Sequence, residues 1–443
     1  MIKKLDEVNL KYAFPEVAFD EDYIIGTFQV RMKTKNVEKL ALAVADEQST
    51  GTWIKTSHDT LDKQRKWGVK VVSIYEMPDR GNDVVEKDLP PLFLVQLAFP
   101  ASNVNASYPS MLSTVFGNIS SSGMLKWLDV AFPKKFVEQY QGPKFGVEGM
   151  RDLLGVYDRP LLNCMIKPNI GWTPEEGAEI FYNAARGGVD IVKDDELMLA
   201  DGPFCPLESR VKLFMEAERK AYEETGEHTL YAVNVTDNID KLRDNAMRAL
   251  DCGANAIMVN TYTVGQASLK MLADDPDINV PILAHVDYAG SSVSSTYTGI
   301  NGPLLIGKLT RLCGGDMEIM GHPWGKFPVP YLSFSRTFRM FTQPWWNIKP
   351  MFDLVSGGTN QLMIKKALDE VGIDVVLAAG GGVHGHPDGS FAGAKSMRQA
   401  IQLALDDVDY TGKDKAVLKD YPELAAMLAQ LDPNIKKNFT LMN

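Results

Sequence analysis

Cysteine is scarce in this sequence: Cys164, Cys205, Cys252 and Cys313 are spread over 443 residues without a CxxC pair. That density excludes a disulfide scaffold, and the four read as reduced, mostly buried thiols. Long apolar runs are missing as well. No stretch approaches the roughly 20 apolar residues that span a bilayer, and MIKKLDEVNLKYAF at the start lacks the apolar core of a signal peptide. No membrane partner is expected, and the expected compartment is the cytoplasm. Clusters of lysine and arginine are absent too, and the formal net charge of -11 argues against nucleic acid as a partner.

What the chain does have is enough apolar residue, 45% hydrophobic against 23% charged, to bury a large core in one big domain plus a small one. Up to about residue 142, short apolar runs at Tyr23–Val30, Val69–Tyr75 and Leu92–Ala98 alternate with helical stretches around 36–46 and 109–117. This rhythm predicts a small α+β domain. From about residue 160 it changes to near-continuous apolar runs, each ending in polar residues and followed by an amphipathic helical segment. The runs are LLNCMIKP, VDIVKDDE, TLYAVNVT, AIMVNTYT, PILAHVDY, GGDMEIMG, FDLVSGGT and DVVLAAGGG.

Continuous apolar strands need cover on both faces, and eight strand-then-helix units match the length of a (β/α)8 barrel. A doubly wound sheet is the alternative, but no dinucleotide fingerprint is present. The expected fold class is therefore α/β: a smaller N-terminal α+β, ferredoxin-like domain over 1–142, then a C-terminal (β/α)8 TIM barrel over 143–443.

Reactive groups of such a barrel sit where its strands end. Those ends are polar here: Lys167; Lys193, Asp195 and Glu196; Asn234; His285 and Asp287; Ser356; and Gly380, Gly381 and Gly382. His285, His322, His384 and His386 lie at or just beyond them, and for any one of these a satisfied structural histidine is the plainer reading.

Lys193-Asp194-Asp195-Glu196 is the sharpest signal. On a strand, Lys193 and Asp195 share a face while Asp194 points away, and Glu196 can bend in from the loop. Two carboxylates facing one cavity suit Mg2+, which takes oxygen donors and keeps positions open. An ammonium cannot ligate a metal, but a neutral lysine that has captured CO2 becomes a carbamate, a third anionic donor. A solvated charge run at a strand end is the bland alternative.

GGVDIVKDDE resembles the metal-site strand of ribulose bisphosphate carboxylase (RuBisCO), and other segments resemble that family in its order along the chain. They are EQSTGTW (47–53), VFGN ending at Asn118, LLNCMIKPNIG, GGDMEIMGHPWGKF, LVSGG and AAGGGVHGHPDG. The resemblance implies Mg2+ held by a carbamylated Lys193 with Asp195 and Glu196, and Lys167 as acid or base at the reacting carbon. It also implies His285 at the site, and Lys326 at the tip of a lid loop with Glu47 as its salt-bridge partner. Thr52, Trp53, Ser356, Gly357, Gly358, Gly380 and Gly381 would bind substrate or phosphate. Glu47, Thr52, Trp53 and Asn118 would come from a neighbouring subunit, implying a homodimer or larger assembly with shared sites.

Departures from the family narrow the chemistry. Where the carboxylases carry a phosphate-binding arginine after the fifth-strand histidine, this chain has Val286, and Ile319 replaces a sixth-strand histidine. An isopropyl group cannot replace a bidentate donor. Asn169 stands in place of a second lysine, so carboxylation of ribulose bisphosphate is not expected. Asp287 and Glu318 either read substrate hydroxyls or stabilise loops.

Methionine-salvage enolases of the superfamily use a lysine where Asn118 stands and do not rely on the lid lysine. The leading expectation is therefore decarboxylation of a keto sugar-acid monophosphate, as with 3-oxo-isoapionate 4-phosphate. Hydrolytic or transcarboxylating variants, and an enolase or isomerase of methylthioribulose phosphate metabolism, are the alternatives. A non-catalytic relative is disfavoured by the retained Glu47, Asn118, Lys167, Lys193, Asp195, Glu196 and Lys326.

Overall fold

The computed structural model describes residues 10–33, 36–54, 56–77 and 90–431. Two compact units emerge, one of Met1–Tyr140 with Ala289–Leu305, the other of Gln141–Tyr288 with Ile306–Asn443. The segment 289–305, expected as part of the barrel, thus clusters with the N-terminal unit.

In that first unit, β1 (Tyr23–Arg31), β2 (Lys70–Glu76), β3 (Leu92–Pro100) and β4 (Leu125–Ala131) form an antiparallel sheet in the order β4-β1-β3-β2. The three runs read as strands are β1, β2 and β3; β4 was not anticipated. Alternation sets the buried face, with Phe93, Val95 and Leu97 of β3 turned inward. Phe28, Phe99, Phe116 and Trp127 form its aromatic core. Helix Val37–Glu47 starts where the Asn36 side chain accepts a hydrogen bond from the Lys39 amide at 2.8 Å. The 289–305 segment adds the two-residue β10 (Gly299–Ile300), parallel to β4, and the Lys126 ammonium donates to the carbonyls of Val293 and Ser295.

The second unit is a closed barrel. Its parallel strands are β5 (Leu161–Met165), β6 (Ile191–Lys193), β7 (Leu230–Asn234), β8 (Ala256–Asn260), β9 (Ile282–His285), β11 (Met317–Gly321), β12 (Phe352–Ser356) and β13 (Val375–Ala378). Each of the eight runs picked from the sequence holds one of them. Helices cover the outside, so β7, β8 and β12 are buried at every residue, which is why they lack alternation. Leu161, Ile191, Leu230, Met258, Leu283, Met317, Leu354 and Val376 fill the interior, together with Met150 and Leu154 of helix Gly146–Leu154. Asp316 ties that helix down, accepting hydrogen bonds from the amides of Phe145, Gly146 and Ile282 at 2.7, 2.9 and 2.9 Å.

Candidate active site

Asp194 explains why β6 ends as it does. It faces away from the barrel axis, where its carboxylate accepts from the Tyr231 hydroxyl at 2.6 Å and the Asn234 amide at 2.9 Å, with the Arg210 guanidinium 3.3 Å away. Asp194 and Arg210 are fully buried, and Arg210 also donates to the Tyr231 hydroxyl and to the carbonyls of Cys205 and Ala200. With Asp194 locked outward, alternation turns Lys193 and Asp195 to the other face.

Lys193 has no exposed surface. Its Nζ donates to the Asp194 carbonyl at 2.7 Å and lies 3.7 Å from Glu196 Oε2. Burial lowers its pKa, outweighing the opposing pull of Glu196 and Asp195. The uncharged amine, the form able to react with CO2, is thereby favoured.

Glu196 Oε2 is 3.3 Å from His285 Nε2. The Asp287 amide donates to His285 Nδ1 at 3.1 Å, which makes Nδ1 the acceptor and leaves the ring proton on Nε2, aimed at Glu196. Burial lowers the His285 pKa, which favours the neutral ring. Burial opposes ionisation of Glu196, but the hydrogen bond from His285 holds its pKa well below the usual range. The Asn260 side chain donates to the Glu196 carbonyl at 3.0 Å, and that of Asn234 to the Met198 carbonyl at 2.9 Å, which fixes the loop carrying this carboxylate.

Asp195, 1% exposed, accepts from Lys167 Nζ at 2.6 Å through Oδ2 and from the Leu197 amide at 3.2 Å through Oδ1. Lys167 also donates to Asn169 Oδ1 at 2.8 Å, so Asn169 orients the lysine it follows. Lys167, Lys193, Asp195, Glu196 and His285 therefore meet at one barrel mouth.

Among the described residues no three His, Cys, Asp or Glu side chains are grouped to hold a metal. Asp195 and Glu196 supply two hard anionic donors beside the Lys193 amine, a set that fits Mg2+ once the amine becomes a third oxygen donor.

Around this centre, the Gly357–Gly358 turn after β12 has φ of 97° and 99°, which glycine adopts without strain. The Lys326 amide donates to the Gly357 carbonyl, so the backbone at Lys326 rests on that turn. The Lys326 ammonium is 5.1 Å from the Phe327 ring centre. Ser356 closes β12, and Gly381 faces open space. Val286 and Ile319 join the apolar interior cluster.

In the first unit, Asn118 Nδ2 donates to Glu47 Oε1 at 3.4 Å, which brings together two residues singled out far apart in sequence. Thr52 is exposed, and Trp53 is 90% exposed.

The other three histidines near the strand ends lie among neighbours outside this cluster. His322 is fully buried, 3.4 Å from Thr359 Oγ1; His384 lies between Cys164 Sγ and Ser390 Oγ at 2.9 and 2.8 Å; His386 bonds the Glu423 carbonyl at 2.9 Å. For Glu318 the structure decides between the two alternatives left open. It reads no hydroxyl at the mouth, because strand alternation turns it to the outer face of the barrel wall, where it is fully buried. Asp287 acts through its backbone on His285. Trp345 lies 5.8 Å from the Arg311 guanidinium, and Trp346 is 55% exposed. The Arg210–Asp194–Tyr231 network and the His285 tautomer had no sequence signal, since both depend on contacts across strands.

Residues 11–136 match the N-terminal domain, and residues 146–327 and 335–431 the catalytic domain, of the ribulose bisphosphate carboxylase large chain. The chain belongs to the RuBisCO family. A ribulose bisphosphate carboxylase-like protein of Archaeoglobus fulgidus is 46% identical over 394 residues, covering 89% of this chain and 90% of that one. A 2,3-diketo-5-methylthiopentyl-1-phosphate enolase of Geobacillus thermodenitrificans is 35% identical over 384 residues, 86% of this chain and 92% of that one. Among solved structures, the octameric RuBisCO of Pyrococcus horikoshii superposes with a TM-score of 0.83 at 29% identity, covering 95% of this chain and 97% of that one. This member is RuBisCO-like, with enolases among its similar relatives. Among its described residues no helix is long and apolar enough to cross a membrane.

Proposed function

We propose that this RuBisCO-like chain is a Mg2+-dependent enzyme that enolises a keto compound carrying one phosphate. The observation that carries this is the buried Lys193 amine set among Asp195, Glu196 and His285, with Lys167 hydrogen-bonded to Asp195 at 2.6 Å. Lys193 as its carbamate, with Asp195 and Glu196, would hold Mg2+, which when bound supplies positive charge to stabilise an oxyanion. Lys167 moves a proton at the carbon beside the ketone through its Nζ, and Asn169 holds that amine in place. His285 orients Glu196. Gly380 and Gly381, with Thr52 and Trp53, would take the phosphate.

Val286 and Ile319 make one wall of the barrel mouth apolar. A second phosphate there would lack a cationic partner, whereas an apolar tail would be welcomed. With enolases of a methylthio diketone phosphate among the relatives, this favours the enolase reading over the decarboxylation expected from sequence. The test is incubation with Mg2+, bicarbonate and 2,3-diketo-5-methylthiopentyl 1-phosphate, following enol formation by absorbance; no metal-dependent signal defeats the reading.

One observation supports a second reading, decarboxylation of a keto-acid phosphate such as 3-oxo-isoapionate 4-phosphate. Asn118 is hydrogen-bonded to Glu47 and cannot serve as a base, while the lid keeps Lys326 to grip a carboxylate. Release of CO2 from that substrate, lost in Lys326→Ala, would establish it. The exposed Trp53 and the octameric structural neighbour support a homo-oligomer in which Glu47, Thr52, Trp53 and Asn118 complete a neighbour's site.

A further inference from the structure

Two carboxylates in the barrel wall take no part in this chemistry. Glu318 on β11 and Asp353 on β12 are direct partners in the parallel ladder. Their neighbours Met317, Ile319, Phe352 and Leu354 belong to the interior cluster, so Glu318 and Asp353 point outward beneath the helical layer. Neither has any exposed surface, and none of their four carboxylate oxygens has a hydrogen-bond partner among the described residues.

Among the described residues no lysine or arginine is paired with them; Lys308, in the segment before β11, has its ammonium 5.8 Å from the Trp345 ring centre. Across the ladder, Glu318 pairs with Ala284 of β9 and Asp353 with Val375 of β13. In the segment before β11, Arg311 spends its guanidinium on the carbonyls of Lys349, Met340, Gln343 and Ile348. The helix Tyr331–Thr342 beside β12 turns Phe334, Thr337 and Phe341 inward and leaves Arg336 and Arg339 exposed. The nearby Tyr262 phenol, 2.8 Å from Thr310 Oγ1, stays neutral because burial pushes its pKa up.

Adjacent buried carboxylates without a counter-charge cannot both ionise. We propose that Glu318 and Asp353 keep at least one proton between them through the neutral range, a buried protonated acid in the barrel wall between β11, the strand before Lys326, and β12, the strand before the Gly357–Gly358 turn. Burial pushes both carboxyls well above their usual range, and the charge of Asp353 raises Glu318 further.

Because the folded pKa lies above the unfolded value of about 4, the retained proton stabilises the fold fully below that pH, and this contribution is lost as pH rises toward the folded pKa. Between pH 7 and 8, each retained proton raises the unfolding equilibrium constant about tenfold per pH unit. That slope is expected in the native chain and absent from the Glu318→Gln/Asp353→Asn double variant.

Infrared spectroscopy supplies a readout that does not require the variant to fold. The native protein at pH 8 should keep the carbonyl band of a protonated carboxyl, and Asp316, whose pKa burial raises only to about 6, does not contribute there. Absence of that band, or an unchanged slope in the double variant, overturns the proposal. So does stabilisation by added Na+, K+ or Ca2+ without the band, which would mean that a metal ion occupies the place of the proton.

Discussion

Gly380 stands against Lys167: a β-carbon at position 380 would lie 3.1 Å from Lys167 Cε and 3.5 Å from the Met165 carbonyl oxygen. The missing side chain at the end of β13 therefore leaves room for Lys167, to which we assign the proton transfer, and for the anion we propose to bind there. Its φ of -77° is ordinary, so the requirement is one of space rather than of backbone conformation.

Gly380→Ala is thus expected to fold normally and to lower kcat by on the order of tenfold, because Lys167 must shift by a few tenths of an ångström from its reacting position. Steady-state kinetics beside a thermal melt checks this. An unchanged kcat would mean that Lys167 does not act from the position it holds.

His285→Gln removes the ring that points its Nε2 proton at Glu196. Loss of such an orienting partner typically weakens a metal site by about 10–100-fold. Titrating activity with Mg2+, or Mn2+ binding by paramagnetic resonance, should show a shift of that size with the fold intact.

Arg210→Met leaves Asp194 buried without its cation. A stranded buried charge costs about 3–5 kcal/mol, so denaturant unfolding should show a loss of that order. Any folded fraction should also bind metal poorly, because Asp194 sets the direction of Lys193 and Asp195.

Gly393→Ala tests the anion cradle from behind. Its β-carbon would fall 1.8 Å from the Val383 carbonyl oxygen, so helix Gly389–Leu405 must back away from the turn after β13. Overpacking of this kind costs about 1–3 kcal/mol or more. A lower Tm together with a raised KM for the phosphorylated substrate is expected.

The barrel was legible because strands buried on both faces write themselves as unbroken apolar runs, and their polar ends marked the mouth. β4 escaped notice because LKWLDVA mixes charge into its run, and the two-residue β10 is too short to leave a pattern. That Lys193 and Asp195 share a face followed from strand alternation, whereas their reading as metal ligands came from the family resemblance. Whether Glu318 faced the mouth stayed open in the sequence, and the register, pairing it with Asp353 on the outer face, answers that. The orientation of His285 rests on the Asp287 backbone amide, and no side-chain pattern reveals that.

The most direct test follows hydrogen–deuterium exchange by NMR at the carbon beside the ketone of a phosphorylated diketone in D2O. Exchange should require Mg2+ and bicarbonate together, stop on chelation, and be lost in Lys193→Met. Exchange that proceeds at full rate without metal, or that survives in Lys193→Met, would contradict the assignment of the β6 end as the centre of the chemistry.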